Sequence, residues 1–96
     1  MDIRIQSIHF DATEKLESFI NKKAERLGRH YPDITVFDVT LKVVKPETVM
    51  NKQAIVKLSV PQHAECVADK TANTFEEAID TAIEALERQL ERGKDR

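Results

Sequence analysis

An α+β domain of order β-α-β-β-β-α is the fold class this chain predicts, and three observations carry the prediction. Four short stretches alternate apolar and polar residues with period two, as half-buried strands do. Two longer stretches repeat apolar residues every three to four positions, as one-faced helices do. Only two Gly and three Pro among 96 residues leave little room for long loops, so residues 1–96 read as one domain with one core.

The elements follow in order. Residues 2–8 set Ile3 and Ile5 against Arg4 and Gln6, a short strand. Asp11 or Thr13 can cap a helix running to about residue 29, with Leu16, Phe19, Ile20, Ala24 and Leu27 as its buried stripe and Gly28 and Pro32 to close it. Residues 34–44 alternate Phe37, Val39, Leu41 and Val43 with Asp38, Thr40 and Lys42, a longer strand. The loop KPETVMNK leads to a third strand at 54–60, and the turn PQHA to a fourth that begins at Ala64 and sets Cys66 and Ala68 against Glu65 and Asp69. Residues 74–96 form the last helix. It opens on a capping box, Thr74 and Glu77, and carries Phe75, Ala78, Ile79, Ala82, Ile83, Leu86 and Leu90 as its stripe.

Topology follows from these elements. A right-handed crossover makes the first two strands parallel, and two hairpin reversals follow in a four-stranded sheet. Each helix then returns against its preceding strand, so two parallel helices cover one face and end together.

The placement of charge is more informative than its sum. The net charge of −2 gives no sign of nucleic acid. On the first helix, however, Lys15, Lys22, Arg26 and Arg29 gather within roughly 60° on one side of the stripe, with Lys23 at its edge. On the last helix, Arg88 and Arg92 take the corresponding offset, while Glu76, Asp80, Glu84, Glu87 and Glu91 hold the other flank. Two parallel helices thus turn their basic flanks the same way. The acidic start of the last helix stands about 24 Å from Arg92 at 1.5 Å per residue. That is roughly three screening lengths of about 8 Å, so a phosphate at the basic end senses local charge. Glu25, Glu87, Glu91 and Asp95 are nearer and weaken the patch. The same charges also suit plain solvated faces with pairs such as Glu84–Arg88, and cations favour helix carboxyl ends in any protein.

Other chemistry finds little support. The amino terminus is not a signal peptide, no window spans a membrane, and the lone Cys66 points to a reducing cytosol. Cys66 alternates inward as a small apolar residue, and His9, His30 and His63 read as surface residues. No spacing of Asp, His and Cys suits a metal, no Gly-rich loop suits a phosphate cofactor, and no catalytic set is visible. The open sheet face carries Arg4, Thr40, Lys42 and Lys57 without an aromatic pair, which counts against base stacking on the sheet.

The opening DIRIQSIHFDAT, the helix end KKAERLGRHY, the strand FDVTLKVVKP and the segment AIDTAIEALERQLERGKD together resemble the ribosome hibernation-promoting factors and ribosome-associated translation inhibitors, once called sigma-factor modulation proteins. The resemblance spans essentially the whole chain and rests on order and spacing. It implies a fold similar to a double-stranded RNA-binding domain and a cytoplasmic, non-enzymatic role in ribosome hibernation under stress or in stationary phase. It implies no cofactor, metal or small-molecule substrate. The implied partner is the small ribosomal subunit with its 16S rRNA, occupied between head and body over the messenger and the A- and P-site transfer RNAs. The implied RNA-binding residues are Lys23, Arg26 and Arg29 on the first helix and Arg88 and Arg92 on the last, and Lys22 and Lys94 join them as further RNA-binding candidates. Ala85 departs from the pattern, standing where relatives often carry lysine. The chain is similar to the short form, without a dimerising carboxyl-terminal domain and monomeric off the ribosome. Two other readings remain open: an adaptor that binds a protein through the acidic flank of the last helix, and a generic duplex-RNA binder.

Overall fold

The structure, a computed structural model, describes residues 1–45, 47, 49–63 and 65–94, and the side chains of all of these but residues 93 and 94. Ala64, Asp95 and the Lys94 side chain, singled out above, therefore lie outside the described residues. The elements are β1 (Asp2–Ile8), α1 (Glu14–His30), β2 (Val36–Val43), β3 (Lys52–Ser59), β4 (Cys66–Ala72) and α2 (Phe75–Lys94), the expected order. They build one sheet of order β1-β2-β3-β4, with β1 parallel to β2 and the other neighbours antiparallel.

Period-two patterning fixes the register. Ile3, Phe37, Leu58 and Cys66 form one cross-sheet row, and Ile5, Val39, Val56 and Ala68 the next, both facing the helices. Phe37, Val39, Val56 and Leu58 are fully buried there, against Ile20 of α1 and Ile79 and Leu86 of α2. The open face mixes signs instead. Arg4 lies opposite Asp38, which lies opposite Lys57, so the sheet presents no cationic field.

Several boundaries differ from the expectation, and β2 is shorter than residues 34–44, running Val36–Val43. β3 starts at Lys52 rather than residue 54, and β4 runs on to Ala72, because Lys52 and Gln53 pair with Ala72 and Thr71 and lengthen the hairpin at one end. Gly28 does not close α1. No glycine has positive φ, the helix continues to His30, and a Cβ on Gly28 would stand 3.1 Å from Cε of Met1. Glycine there admits Met1 against the helix. Termination falls to Tyr31, which Pro32 biases out of the helical region and whose N–H donates to the Leu27 carbonyl at 2.9 Å.

Both amino-terminal caps form, but Glu77 closes no return bond to the Thr74 N–H among the described residues, so the capping box is half made. Thr13 Oγ1 accepts from the Leu16 N–H and Thr74 Oγ1 from the Glu77 N–H, each at 3.1 Å. On the outer edge of the sheet, Gln89 of α2 donates through Nε2 to the Val67 carbonyl at 3.1 Å, which helps to blunt β4 against strand addition.

Candidate functional site

Contacts between the helices establish their relative direction. Phe10, just before α1, stacks on Phe75 at the start of α2 with ring centroids 5.1 Å apart. Further along, Lys23 Nζ meets Asp80 Oδ1 at 3.0 Å, and at the far end the Tyr31 hydroxyl donates to the Glu91 carboxylate. Partners advance together along both chains, so the helices are parallel and their carboxyl ends lie at one end of the domain.

Of the five cations that the helical wheel gathers on α1, four come together, and Lys15 does not line their depression. Lys22, Lys23, Arg26 and Arg29 line one shallow depression, with Glu25 on its rim. Lys22, Arg26 and Arg29 are exposed and make no ion pair with any described residue. Lys23 is different. Its side chain is about one-third exposed, paired with Asp80, and its ammonium stands 5.3 Å from the centroid of the Phe19 ring. A cation within about 6 Å of a ring face is attracted to it. Lys23 therefore acts first as a strut between the helices.

On α2 the arrangement departs from a cleft walled by cations on both sides. The groove between the helices has Lys23, Arg26 and His30 on its α1 wall, but Asp80, Glu84 and Glu87 on its α2 wall. The basic flanks do turn the same way, and that rotation sets the basic flank of α1 against the acidic flank of α2. Arg88 and Arg92 are exposed, and the 100° step of the helix puts them beyond the acidic row, on the outer side of α2. Glu84 and Arg88 close no ion pair among the described residues. Ala85 packs half-buried against the core.

The Tyr31–Glu91 latch that ties the ends of the helices was not foreseen from the sequence pattern. Its signals were a tyrosine just past the end of α1 and a carboxylate on the α1-facing flank of α2. Accepting from the phenol, Glu91 favours its neutral form, and burial and the Glu91 and Glu87 charges act the same way, so the Tyr31 pKa is pushed up to about 12. Burial likewise raises the Cys66 thiol, which disfavours the thiolate nucleophile at neutral pH. His9, His30 and His63 are exposed. No helix among the described residues is long and apolar enough to cross a membrane.

Comparison with known proteins adds an independent line. Residues 3–96 match the family model described as Sigma 54 modulation protein / S30EA ribosomal protein. A ribosome hibernation promoting factor of Azotobacter vinelandii is 31% identical over 96 residues, which cover 100% of this chain and 85% of that one. One from Pseudomonas putida is 28% identical, over 100% of this chain and 89% of the relative. Among solved structures, a ribosomal subunit interface protein from Coxiella burnetii superposes with a TM-score of 0.87 at 19% identity, over 100% of both chains. The amino-terminal domain of Thermus thermophilus Protein Y gives 0.77 at 22% identity, over 96% of this chain and 98% of that one. At such identities the two structures speak for the fold alone.

Proposed function

Because the chain belongs to the Sigma 54 modulation protein / S30EA ribosomal protein family, we propose that it is a ribosome hibernation factor that binds the small ribosomal subunit at the decoding region. There it excludes messenger and A- and P-site transfer RNA by volume and preserves idle ribosomes in the cytoplasm under stress. It acts by occupancy, without a catalytic step or cofactor, as a monomer until it meets 16S rRNA. The supporting observation is the gathering of Lys22, Arg26 and Arg29 in one exposed depression, with Arg88 and Arg92 on a parallel helix that ends beside it. Arginine forks and lysine ammoniums suit phosphate oxygens, and such contacts position a protein on RNA without reading sequence. Lys23 contributes by bracing the helices.

Co-sedimentation tests the reading. The triple variant Arg26→Glu, Arg29→Glu, Arg88→Glu is expected to leave the small-subunit fraction of a sucrose gradient while keeping its helical circular dichroism. A variant that still pellets with small subunits in near-wild-type amounts would overturn it.

The acidic α2 wall of Asp80, Glu84 and Glu87 favours a second reading, an adaptor for a cationic protein segment. Lys23 already compensates Asp80, which weakens that reading. Recovery of a protein partner after nuclease treatment, with ribosomes gone, would favour it.

A further inference from the structure

A second concavity lies at the carboxyl ends of the helices, beyond the cationic depression. His30 and Tyr31 at the end of α1, Pro32, Asp33 and Ile34 before β2, Val60 and His63 in the β3–β4 turn, and Leu90 of α2 line a cavity of about 140 Å³. An engineered apolar cavity of roughly 150 Å³ in another protein takes up a benzene ring, so one planar ring is the size of guest that fits. The floor is apolar, since Ile34 and Leu90 are 3% and 8% exposed. The rim is polar, since His30, Asp33 and His63 are exposed; each neutral imidazole offers both a donor and an acceptor, whereas the Asp33 carboxylate only accepts and favours the amino edge of a guest over its phosphate.

The walls are fixed before any guest arrives. The Tyr31 hydroxyl is held by Glu91 and its backbone N–H by the Leu27 carbonyl, while the Ile34 N–H donates to the Tyr31 carbonyl at 3.2 Å. The His63 N–H donates to the Val60 carbonyl, also at 3.2 Å, and closes the opposite turn. A preformed site loses less entropy on binding than one that must be assembled.

Position narrows the guest. His30 lines both this cavity and the inter-helix groove that Arg26 lines, so the cavity opens beside the cations of α1. A guest needs a flat apolar face for the floor and the tyrosine, polar edges for the imidazoles, and an anionic group for the arginines. A nucleotide of unpaired RNA combines the three, and recognition of single-stranded RNA commonly stacks splayed bases on aromatic side chains. We propose that the cavity between His30, Tyr31 and His63 takes up one unstacked nucleobase of the RNA strand whose phosphates the α1 cations hold, a site that rests on the RNA-binding reading above.

Ring resonances test this directly, because the chain has one tyrosine and three histidines. The Tyr31 ring and the His30 and His63 imidazoles are followed by NMR while the four nucleoside 5′-monophosphates, and in parallel ribose 5-phosphate, are added to the full chain. At least one mononucleotide is expected to shift Tyr31 and His63, while ribose 5-phosphate moves only arginine signals. His63→Ala, an exposed change expected to leave the melting temperature in place, should weaken the mononucleotide about five-fold through the lost hydrogen bond to the base edge. Three results would overturn the site: equal shifts from ribose 5-phosphate, no shift from any nucleotide, or shifts from a leucine-bearing peptide where nucleotides give none. Unmoved rings alongside a triple arginine variant that no longer co-sediments would remove the pocket and leave the ribosome-binding reading standing. Shifted rings alongside a variant that still co-sediments would keep the pocket and remove that reading.

Discussion

The two helices share one construction and carry opposite charge where they meet. Each has a threonine cap, a stripe of aliphatic residues on the sheet and a like-charged flank beside it. Yet α1 brings Lys23, Arg26 and His30 to the shared groove, whereas α2 brings Asp80, Glu84 and Glu87. The core sets how each helix is rotated, and the flank that faces the neighbour is then set by which side of α1 the second helix occupies. Here the α1 cations gather in one depression, while Arg88 and Arg92 stand outside an acidic row. The two helices should therefore contribute unequally to RNA binding although both carry arginines.

Paired charge reversals probe that inequality and carry the largest expected effect. Arg26→Glu with Arg29→Glu should weaken small-subunit binding on the order of a thousand-fold, since each reversal exchanges an attraction of about 1 kcal/mol in water for an equal repulsion. Arg88→Glu with Arg92→Glu should cost less, about ten-fold, because neighbouring carboxylates already weaken that helix's field. Filter-binding titrations measure both, and equal losses would erase the contrast.

Stability should not distinguish the helices. Ile20 of α1 and Leu86 of α2 are both fully buried on the same sheet face. Ile20→Ala and Leu86→Ala should each cost about 2–5 kcal/mol in urea unfolding. A large loss in one and none in the other would mean that the core does not bind both helices alike.

A smaller effect belongs to the latch that joins them. Tyr31→Phe removes one hydrogen bond at a solvent-accessible site and should cost about 1 kcal/mol. The Tyr31 pKa is raised from 10.0 to about 12 in the folded chain, so the folded state favours the protonated phenol. The contribution is whole below pH 10.0 and is lost as pH rises through about 12. Thermal melts across that range should fall more steeply for the wild type than for Tyr31→Phe, and parallel curves would remove the latch from the account.

Much of this was legible in the sequence, for identifiable reasons. Alternation in β1 and β2 and the stripes of both helices fixed the element order, because burial of those residues leaves one arrangement. The α1 cluster was legible because residues three, four and seven apart share a helix face. Gly28 misled, since a glycine near a helix end suggests a left-handed stop and only the fold shows Met1 lying against it. Lys23 was placed at the edge of its stripe, but its partner Asp80 is fifty-seven positions away and no local pattern announces it. The acidic wall of the groove escaped for a related reason. A helical wheel fixes a flank relative to the core and is silent about the helix beside it.

The salt dependence of binding to purified small subunits tests the central claim most directly. Five exposed cations, Lys22, Arg26, Arg29, Arg88 and Arg92, give five expected phosphate contacts. The logarithm of the binding constant should then fall with the logarithm of salt at a slope of about −3.5 to −4.5. A slope near zero would contradict an interface made by these side chains on RNA phosphates.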